Sequence, residues 1–303
     1  MRPIIENCDL LRKVAIKEIF NGKVFRNSFE KKWKDELQNK IIENGNNGFA
    51  LISLGNHLSD IFGLTKGEGR EGANSQSSLS GGGAAWEGLV TWYLNIVLAG
   101  TRSVALKMNK RIVPSPFLEA ISVSYSNHKT NTESDIIVIT FPDITISPPE
   151  ENEKLLHENI EAFSRENFSE FSLDIVQCKT NWNDNAQIPM LWDMLYSAET
   201  FNNKQISIGT TQFRIPALKN FSYSFVTVPT SRGPFKTNSL SVLRVNNISG
   251  GNYWGKPSEK GIANSLTEIF NRNLGHSCND FIRNADKTLL KINDKYKYFW
   301  GIN

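Results

Sequence analysis

The chain has 303 residues, 39% of them apolar, which suffices for the core of one large domain or of a domain with a smaller lobe. Its net charge of +3 is far below that of a protein that coats nucleic acid through charge alone, so any nucleic-acid contact must be local. The longest mostly apolar stretch, residues 89–99, is too short to cross a bilayer, and three scattered cysteines indicate neither a disulfide framework nor a zinc site. The N-terminus does not resemble a secretory signal, so we expect a cytoplasmic protein.

The first predicted unit, residues 1–80, combines a helical segment with a loop rich in glycine and serine. Apolar residues recur at helical spacing between residues 5 and 62. The composition changes between Gly63 and Gly83 to small polar residues, which predicts a flexible loop. Residues 67–72 satisfy the spacing GxGxxG, but no β-branched strand precedes them, so loop glycines explain the spacing better than a dinucleotide site does.

The second predicted unit, residues 81–303, mixes helices and strands without an internal repeat. In chain order, the patterns predict a buried helix over 84–100, a strand over 103–107, a helix over 116–128, a strand over 134–141, a helix over 155–163, a strand over 171–179, a helix over 186–198, strands over 205–210, 221–228 and 240–245, and two amphipathic helices on either side of Gly275. This order indicates an α/β fold in which helices flank a mixed sheet.

The predicted strand over residues 171–179 ends in Gln177, Cys178 and Lys179 directly after an apolar run. Side chains alternate along a strand, so Gln177 and Lys179 face one side of the sheet and Cys178 faces the other. A lysine beside a buried strand loses hydration, which is costly unless an anion lies near it. A carboxylate is therefore expected next to Lys179.

Asp135, at the start of the strand over residues 134–141, is the carboxylate that we favour. If that strand and the strand ending at Lys179 are antiparallel neighbours, Asp135 faces Gln177 and Lys179. Asp143 is the alternative, but it follows the far end of its strand. A polar network that only braces two strands would use the same three side chains.

The residue types at this predicted junction suit a divalent metal ion. The Asp135 carboxylate, the Gln177 amide oxygen and a nearby backbone carbonyl form a hard oxygen site suited to Mg²⁺, which keeps several waters for a phosphate to displace. Lys179 could steady a metal-bound water and the charge that develops on the phosphate. The chemistry that fits is phosphodiester hydrolysis.

The order of these residues along the chain resembles that of a known nuclease superfamily. Glu87 on a buried helix, Asp135 opening a strand and the run Gln177 to Lys179 closing the next strand resemble the PD-(D/E)xK nucleases, in the variant where Gln replaces the acidic residue. Within that superfamily the chain is similar to type II restriction endonucleases. The matching region is residues 81–200. Ser134 departs from the pattern, because a proline would stand there.

The resemblance implies a restriction-endonuclease-like αβββαβ core and a set of roles. It implies that Asp135, Gln177 and the Cys178 carbonyl bind Mg²⁺ and that Lys179 assists the attacking water. It also implies a catalytic or supporting role for Glu87, whose alternative is an ion pair with Arg102 or with another basic side chain. Because Gln177 lacks the usual negative charge, metal binding would depend more on Asp135 and Glu87.

Three segments are candidates for contact with double-stranded DNA. Amide side chains follow the predicted strand end at Asn181, Asn183 and Asn185, where they could contact bases and phosphates or only cap the next helix. Two loops combine glycine with basic or aromatic residues, and their candidate contacts are Arg232, Lys236, Tyr253 and Trp254. Turns of other sheet proteins have similar composition.

The functional hypothesis is a Mg²⁺-dependent type II restriction endonuclease that cuts double-stranded DNA at a short specific sequence. A symmetric target needs two copies of one active centre, so we expect a homodimer. A nuclease that depends on DNA modification is the nearer alternative, since Gln also replaces the acidic residue in that branch of the superfamily. A DNA-binding protein that kept the fold and lost catalysis is the more distant one.

Overall fold

The structure of this protein is a computed structural model. It describes residues 3–64, 76–126, 128–130, 134–179, 206–227, 243, 247, 249–250, 252–255 and 265–302, with the backbone alone for 76–81, 227 and 255. The predicted helix over 186–198 therefore lies outside the described residues. Of the predicted strand over 240–245 only Leu243 is described, and it is helical.

Helices make up the N-terminal and C-terminal parts of the described chain and also alternate with strands between them. They are α1 (Pro3–Asn21), α2 (Lys23–Ser28), α3 (Lys34–Glu43), α4 (Gly48–Ser53), α5 (Leu58–Gly63), α6 (Gln76–Val97), α7 (Ser115–Ala120), α8 (Glu153–Glu166), α9 (Leu266–Leu274) and α10 (Phe281–Lys291). A π-helical turn, Phe29–Trp33, joins α2 to α3. The predicted N-terminal helical segment and the two helices flanking Gly275 are confirmed.

The strands form two sheets. They are β1 (Ser103–Lys107), β2 (Val123–Tyr125), β3 (His128–Thr130), β4 (Ile136–Thr140), β5 (Ser172–Lys179), β6 (Ile206–Ile208), β7 (Asn220–Thr227) and β8 (Tyr253–Gly255). The larger sheet has the order β1-β4-β5-β7-β8, and the smaller has the order β3-β2-β6. In the larger sheet β4 is antiparallel to β1 and β5, whereas β7 is parallel to β5 and β8. The predicted mixed sheet flanked by helices is confirmed.

Hydrophobic side chains form one core on each face of the larger sheet. The core on the face covered by α6, called the α6 core, includes Trp33, Trp92 and Trp300. The core on the face covered by α8, called the α8 core, includes Leu156 and Phe117. Helices before and after the predicted boundary at residue 80 contribute to both. The side chains of β4 and β5 alternate between them: Ile137, Ile139, Leu173 and Ile175 face the α8 core, and Ile136, Val138, Val176 and Cys178 face the α6 core.

Helix α6 begins earlier than the sequence predicts. Helix α6 begins at Gln76, so the last eight residues of the predicted loop from Gly63 to Gly83 are helical. Residues 65–75 lie outside the described part. Extending a helix costs less than starting one, so the strong helix after Ala84 can include weaker helix formers before it. The helix ends at Val97, and Gly100 adopts a positive φ of 74° in the turn that follows, a conformation that favours glycine.

The predicted helix over residues 116–128 is wrong after its first turn. Helix α7 ends at Ala120, and β2 and β3 follow as a short antiparallel pair. The segment from Ile121 to Tyr125 alternates apolar and hydroxyl residues with a period of two, which favours a strand over a helix. Ser126 has a positive φ of 54°, which a continued helix would not permit.

A buried carboxyl group lies on the α6 side of β5. Asp174 is 4% exposed and accepts a hydrogen bond of 2.7 Å from the Ser222 hydroxyl. Ser224 lies 3.4 Å from the same carboxyl group and accepts a 2.9 Å hydrogen bond from the Asn273 side chain. Burial raises the pKa of Asp174 to about 7, although both serines oppose that change. The folded state therefore favours the protonated acid.

We expect Asp174→Asn to reduce the loss of stability that occurs as the pH rises from about 4 to about 7. In this interval the folded wild type keeps a proton that the unfolded chain has released, so its free energy of unfolding falls by about 4 kcal/mol through this group. Chemical denaturation of both proteins at pH 5 and pH 8 measures the difference. The exposed control Asp294→Asn should change the free energy of unfolding equally at both pH values. If Asp174→Asn also does so, the predicted pH dependence is wrong.

Candidate active site

The ends of β4 and β5 bring together two of the predicted site residues. Ile136 pairs with Val176 in the antiparallel register, so Asp135 lies opposite Gln177 at the next position. The predicted pairing of these strands is confirmed. Asp143 is exposed beyond the other end of β4, away from Gln177.

Asp135 and β5 are joined by direct hydrogen bonds. The Gln177 side chain donates through Nε2 to Asp135 Oδ2 at 2.6 Å, and the backbone N–H of Cys178 donates to the same oxygen at 2.7 Å. The Tyr223 hydroxyl on β7 donates to Gln177 Oε1 at 3.2 Å. These contacts hold the carboxylate and the amide side by side, and they also brace β4 against β5.

Lys179 is the last residue of β5 and is half-buried. Strand alternation places it on the same side as Gln177, and its positive charge lowers the pKa of Asp135. The intervening Cys178 side chain points into the α6 core, as predicted. Burial raises the pKa of the Cys178 thiol well above its ordinary value, so the thiol stays protonated and is a poor nucleophile.

Glu87 forms an ion pair that sequence reasoning left open. Its carboxylate on α6 lies 2.8 Å from the Lys107 ammonium at the end of β1. Arg102, the other predicted partner, donates instead to the backbone oxygens of Phe141 and His276. Lys107 pairs in register with Ile136 on the α6 side of the sheet, so the ion pair lies at the same sheet end as Asp135 and acts on its carboxyl group electrostatically.

Sequence reasoning missed Lys107 as a member of this group. Lys107 ends an apolar strand just as Lys179 does, and this common feature is the signal that could have identified it. Its charge, like that of Lys179, lowers the pKa of Asp135. Tyr223 was also missed, because nothing in its strand distinguishes it from a core tyrosine.

The pKa of the Asp135 carboxyl group is strongly shifted by its surroundings. Its pKa is raised to about 6, mainly by burial and also by the nearby Glu87 carboxylate. The Lys179 charge, the Cys178 N–H and the Lys107 charge oppose this increase. Two carboxylates and two ammonium groups therefore act on one another at this end of the sheet, an arrangement more common at functional sites than on an ordinary surface.

The oxygen atoms at this site are of the chemical types that bind Mg²⁺ in proteins. Asp135 supplies a carboxylate, and the N–H and C=O of one strand residue point to the same edge, so the Cys178 carbonyl faces the β4 side with its N–H. If the Gln177 amide group rotated, its oxygen instead of its nitrogen would face Asp135. The Tyr223 hydroxyl could hydrogen-bond to the amide in either orientation, because a hydroxyl both donates and accepts. Within the described segments no three His, Cys, Asp or Glu side chains form a metal cluster, so a bound ion would depend on these neutral oxygens and on water.

Two predicted DNA contacts do not agree with the structure. Tyr253 and Trp254 lie on β8 and are 1% and 3% exposed. Trp254 packs in the α6 core with its ring centroid 5.5 Å from that of Tyr93. DNA bases cannot stack on these side chains in this arrangement, because both are already covered by the protein. The other predicted DNA contacts, Asn181, Asn183, Asn185, Arg232 and Lys236, lie outside the described residues.

Comparisons with known proteins do not assign this chain to a family. Neither the protein-family models nor the curated proteins include a match to its sequence. No helix in the described part of the chain is long and apolar enough to cross a membrane. Function must therefore be inferred from the arrangement of side chains.

Proposed function

We propose that this protein is a Mg²⁺-dependent endonuclease that hydrolyses phosphodiester bonds in double-stranded DNA, in the manner of a type II restriction enzyme. The observation that carries the proposal is the meeting of Asp135 and Gln177 at one sheet end, with Lys179 beside them on the same strand. A site that only braces two strands has no need of a half-buried lysine next to a desolvated carboxylate.

The topology supports the proposed αβββαβ core. Within the larger sheet, α6 is followed by β1, β4 and β5, which are successive antiparallel neighbours, and β7 then lies parallel to β5. Helices α7 and α8 and the strands of the smaller sheet are inserted between these elements. The helix between β5 and β7 in such a core would fall within residues 180–205, which are outside the described part. Asp135 and Gln177 lie at the adjoining ends of the second and third of these strands.

Each side chain has a role that its position permits. Mg²⁺ bound by Asp135, the Gln177 oxygen and the Cys178 carbonyl would supply Lewis-acid chemistry to the phosphate. The Lys179 ammonium stabilises the negative charge that grows on the phosphate as water attacks phosphorus and the ester P–O bond breaks. Glu87 adds negative charge near the site, and Lys107 holds its carboxylate in place.

The first experiment is incubation of the purified protein with phage DNA and Mg²⁺. Discrete fragments would support a site-specific enzyme, and a smear would indicate a nonspecific nuclease. No cleavage of unmodified or methylated DNA would contradict the proposal and leave the non-catalytic alternative. Cleavage of methylated DNA alone would favour the modification-dependent nuclease. Sedimentation of the protein with and without DNA tests the proposed homodimer.

We expect Glu87→Gln to weaken Mn²⁺ binding roughly tenfold while changing the free energy of unfolding by less than about 1 kcal/mol. The Glu87–Lys107 pair is partly exposed and so contributes little stability, but its carboxylate is close enough to affect the charge at Asp135. Titration calorimetry and chemical denaturation measure the two quantities. Glu153→Gln, which removes a surface carboxylate paired with Lys17, is the control. Unchanged Mn²⁺ affinity would restrict Glu87 to a structural role.

A further inference from the structure

A cleft of about 750 Å³ lies next to the candidate active site. One wall comes from the end of α1 and the start of α2, and the other from the end of β1 and the residues after it. Gly88 of α6 lies at its base, where a Cβ would come within 2.6 Å of the Phe25 ring. The helices are therefore closely packed beneath the cleft.

The cleft and the candidate site share one strand end. Lys107 lines the cleft, and its ammonium lies 2.8 Å from the Glu87 carboxylate. Met108 also lines the cleft, and its backbone N–H donates to the Asp135 carbonyl oxygen at 3.0 Å. The cleft therefore begins at the sheet end that carries Asp135, although Asp135 itself does not line it.

The lining of the cleft is basic. It contains four cations, Lys23, Lys107, Lys110 and Arg111, and one carboxylate, Glu18. The whole chain has a net charge of only +3, so this cleft concentrates positive charge. Lys23, Lys110 and Arg111 are exposed, and within the described residues none of them forms an ion pair. Their charges are available to an anionic ligand.

The segment that carries Lys110 and Arg111 is held in a defined turn. The Asn109 carbonyl oxygen accepts hydrogen bonds from the N–H groups of Ile112 and Val113, and the Asn109 side chain accepts one from the Arg111 N–H at 3.0 Å. Ile112 is buried and anchors the turn in the α8 core. The backbone that carries Lys110 and Arg111 is therefore held in a fixed position relative to β1.

The basic surface ends at Arg111. A neighbouring hollow of about 350 Å³ shares Glu18 and Arg111 with the cleft and adds Glu153, Lys154 and Glu158. Glu153 pairs with Lys17, and Lys154 pairs with Glu158. The excess of positive charge that attracts a polyanion therefore extends along the cleft from Lys107 to Arg111 and does not continue into the hollow. The favourable path thus begins at the candidate site and is short.

We propose that this cleft binds the sugar-phosphate backbone of the DNA strand segment that flanks the cut bond, with Lys110 and Arg111 contacting phosphates. This inference rests on the proposed nuclease function and adds the path of the DNA strand to it. Phosphate contacts position the duplex without reading its sequence. The cleft therefore contributes affinity and alignment, and the choice of target sequence comes from elsewhere.

The test measures binding of a fluorescent DNA duplex in EDTA at salt concentrations from about 50 to 200 mM. The double variant Lys110→Gln with Arg111→Gln is expected to bind more weakly and to lower the slope of log affinity against log salt by about two. The matched control, Arg283→Gln with Lys287→Gln, removes the same charges from the exposed face of α10 and should retain the wild-type slope.

Two results would overturn the proposal in distinguishable ways. If wild type binds and cuts DNA but the cleft variant keeps its affinity and slope, the DNA does not follow this cleft. If the control variant loses as much slope as the cleft variant, the effect comes from net charge and not from the cleft. Wild-type protein that neither binds nor cuts DNA would instead remove the proposed function, and this inference with it.

Discussion

Lys179→Ala is expected to slow DNA cleavage by about 10²- to 10³-fold without abolishing DNA binding. Lys179 is half-buried at the end of β5, where its charge can stabilise the phosphate in the transition state, and losses of this size follow removal of one such group. Single-turnover cleavage of a plasmid at saturating Mg²⁺ measures the rate, and duplex binding in EDTA measures the affinity.

Lys219→Ala is the matched control for this experiment. Lys219 is an exposed lysine that precedes β7 at the opposite end of the sheet, and its ammonium lies 4.0 Å from Glu170. Its removal should leave the cleavage rate unchanged. A Lys179→Ala protein that cuts as fast as the control would show that the lysine only completes the end of β5.

Asp135→Asn is expected to weaken Mn²⁺ binding at least about 100-fold and to abolish measurable cleavage. Asp135 is the only predicted metal ligand of this site with a negative charge, and loss of even an indirect supporting group often weakens metal binding by about 10- to 100-fold. Titration calorimetry with Mn²⁺ gives the affinity, and plasmid cleavage gives the rate.

The control for Asp135→Asn is Asp143→Asn, which changes an exposed carboxylate beyond the other end of β4. The asparagine at position 135 can still accept hydrogen bonds from the Gln177 side chain and the Cys178 N–H, so the fold should persist. Equal Mn²⁺ affinity in the wild type and in both variants would contradict the metal site.

The pairing of Asp135 with Gln177 could be predicted because both adjoining runs are long, apolar and β-branched. Such runs are buried strands, and two successive strands most often lie side by side. The antiparallel direction, which sets the start of β4 against the end of β5, was assumed and is confirmed by the structure. The alternation of side chains then placed Gln177 and Lys179 on one side and Cys178 in the core. Apart from the assumed antiparallel direction, these steps need only the geometry of a strand.

Other parts of the site depend on contacts between segments distant in sequence. Lys107 belongs to the site because α6 packs across β1 and places Glu87 beside it, and neither residue alone indicates that contact. Trp254 seemed accessible because its neighbours Gly255 and Lys256 are typical of loops, yet it lies on β8 against Tyr93. Local composition cannot reveal that a short edge strand is covered by helices.

The most direct test of this account is one series of DNA cleavage reactions with wild type, Lys179→Ala and Asp135→Asn, each with Mg²⁺ or with EDTA. The account predicts rapid strand breakage by wild type with Mg²⁺, none in EDTA, and a loss of about 100-fold or more in both variants. Breakage in EDTA, or equal rates for the three proteins with Mg²⁺, would contradict a metal-dependent site built from Asp135, Gln177 and Lys179.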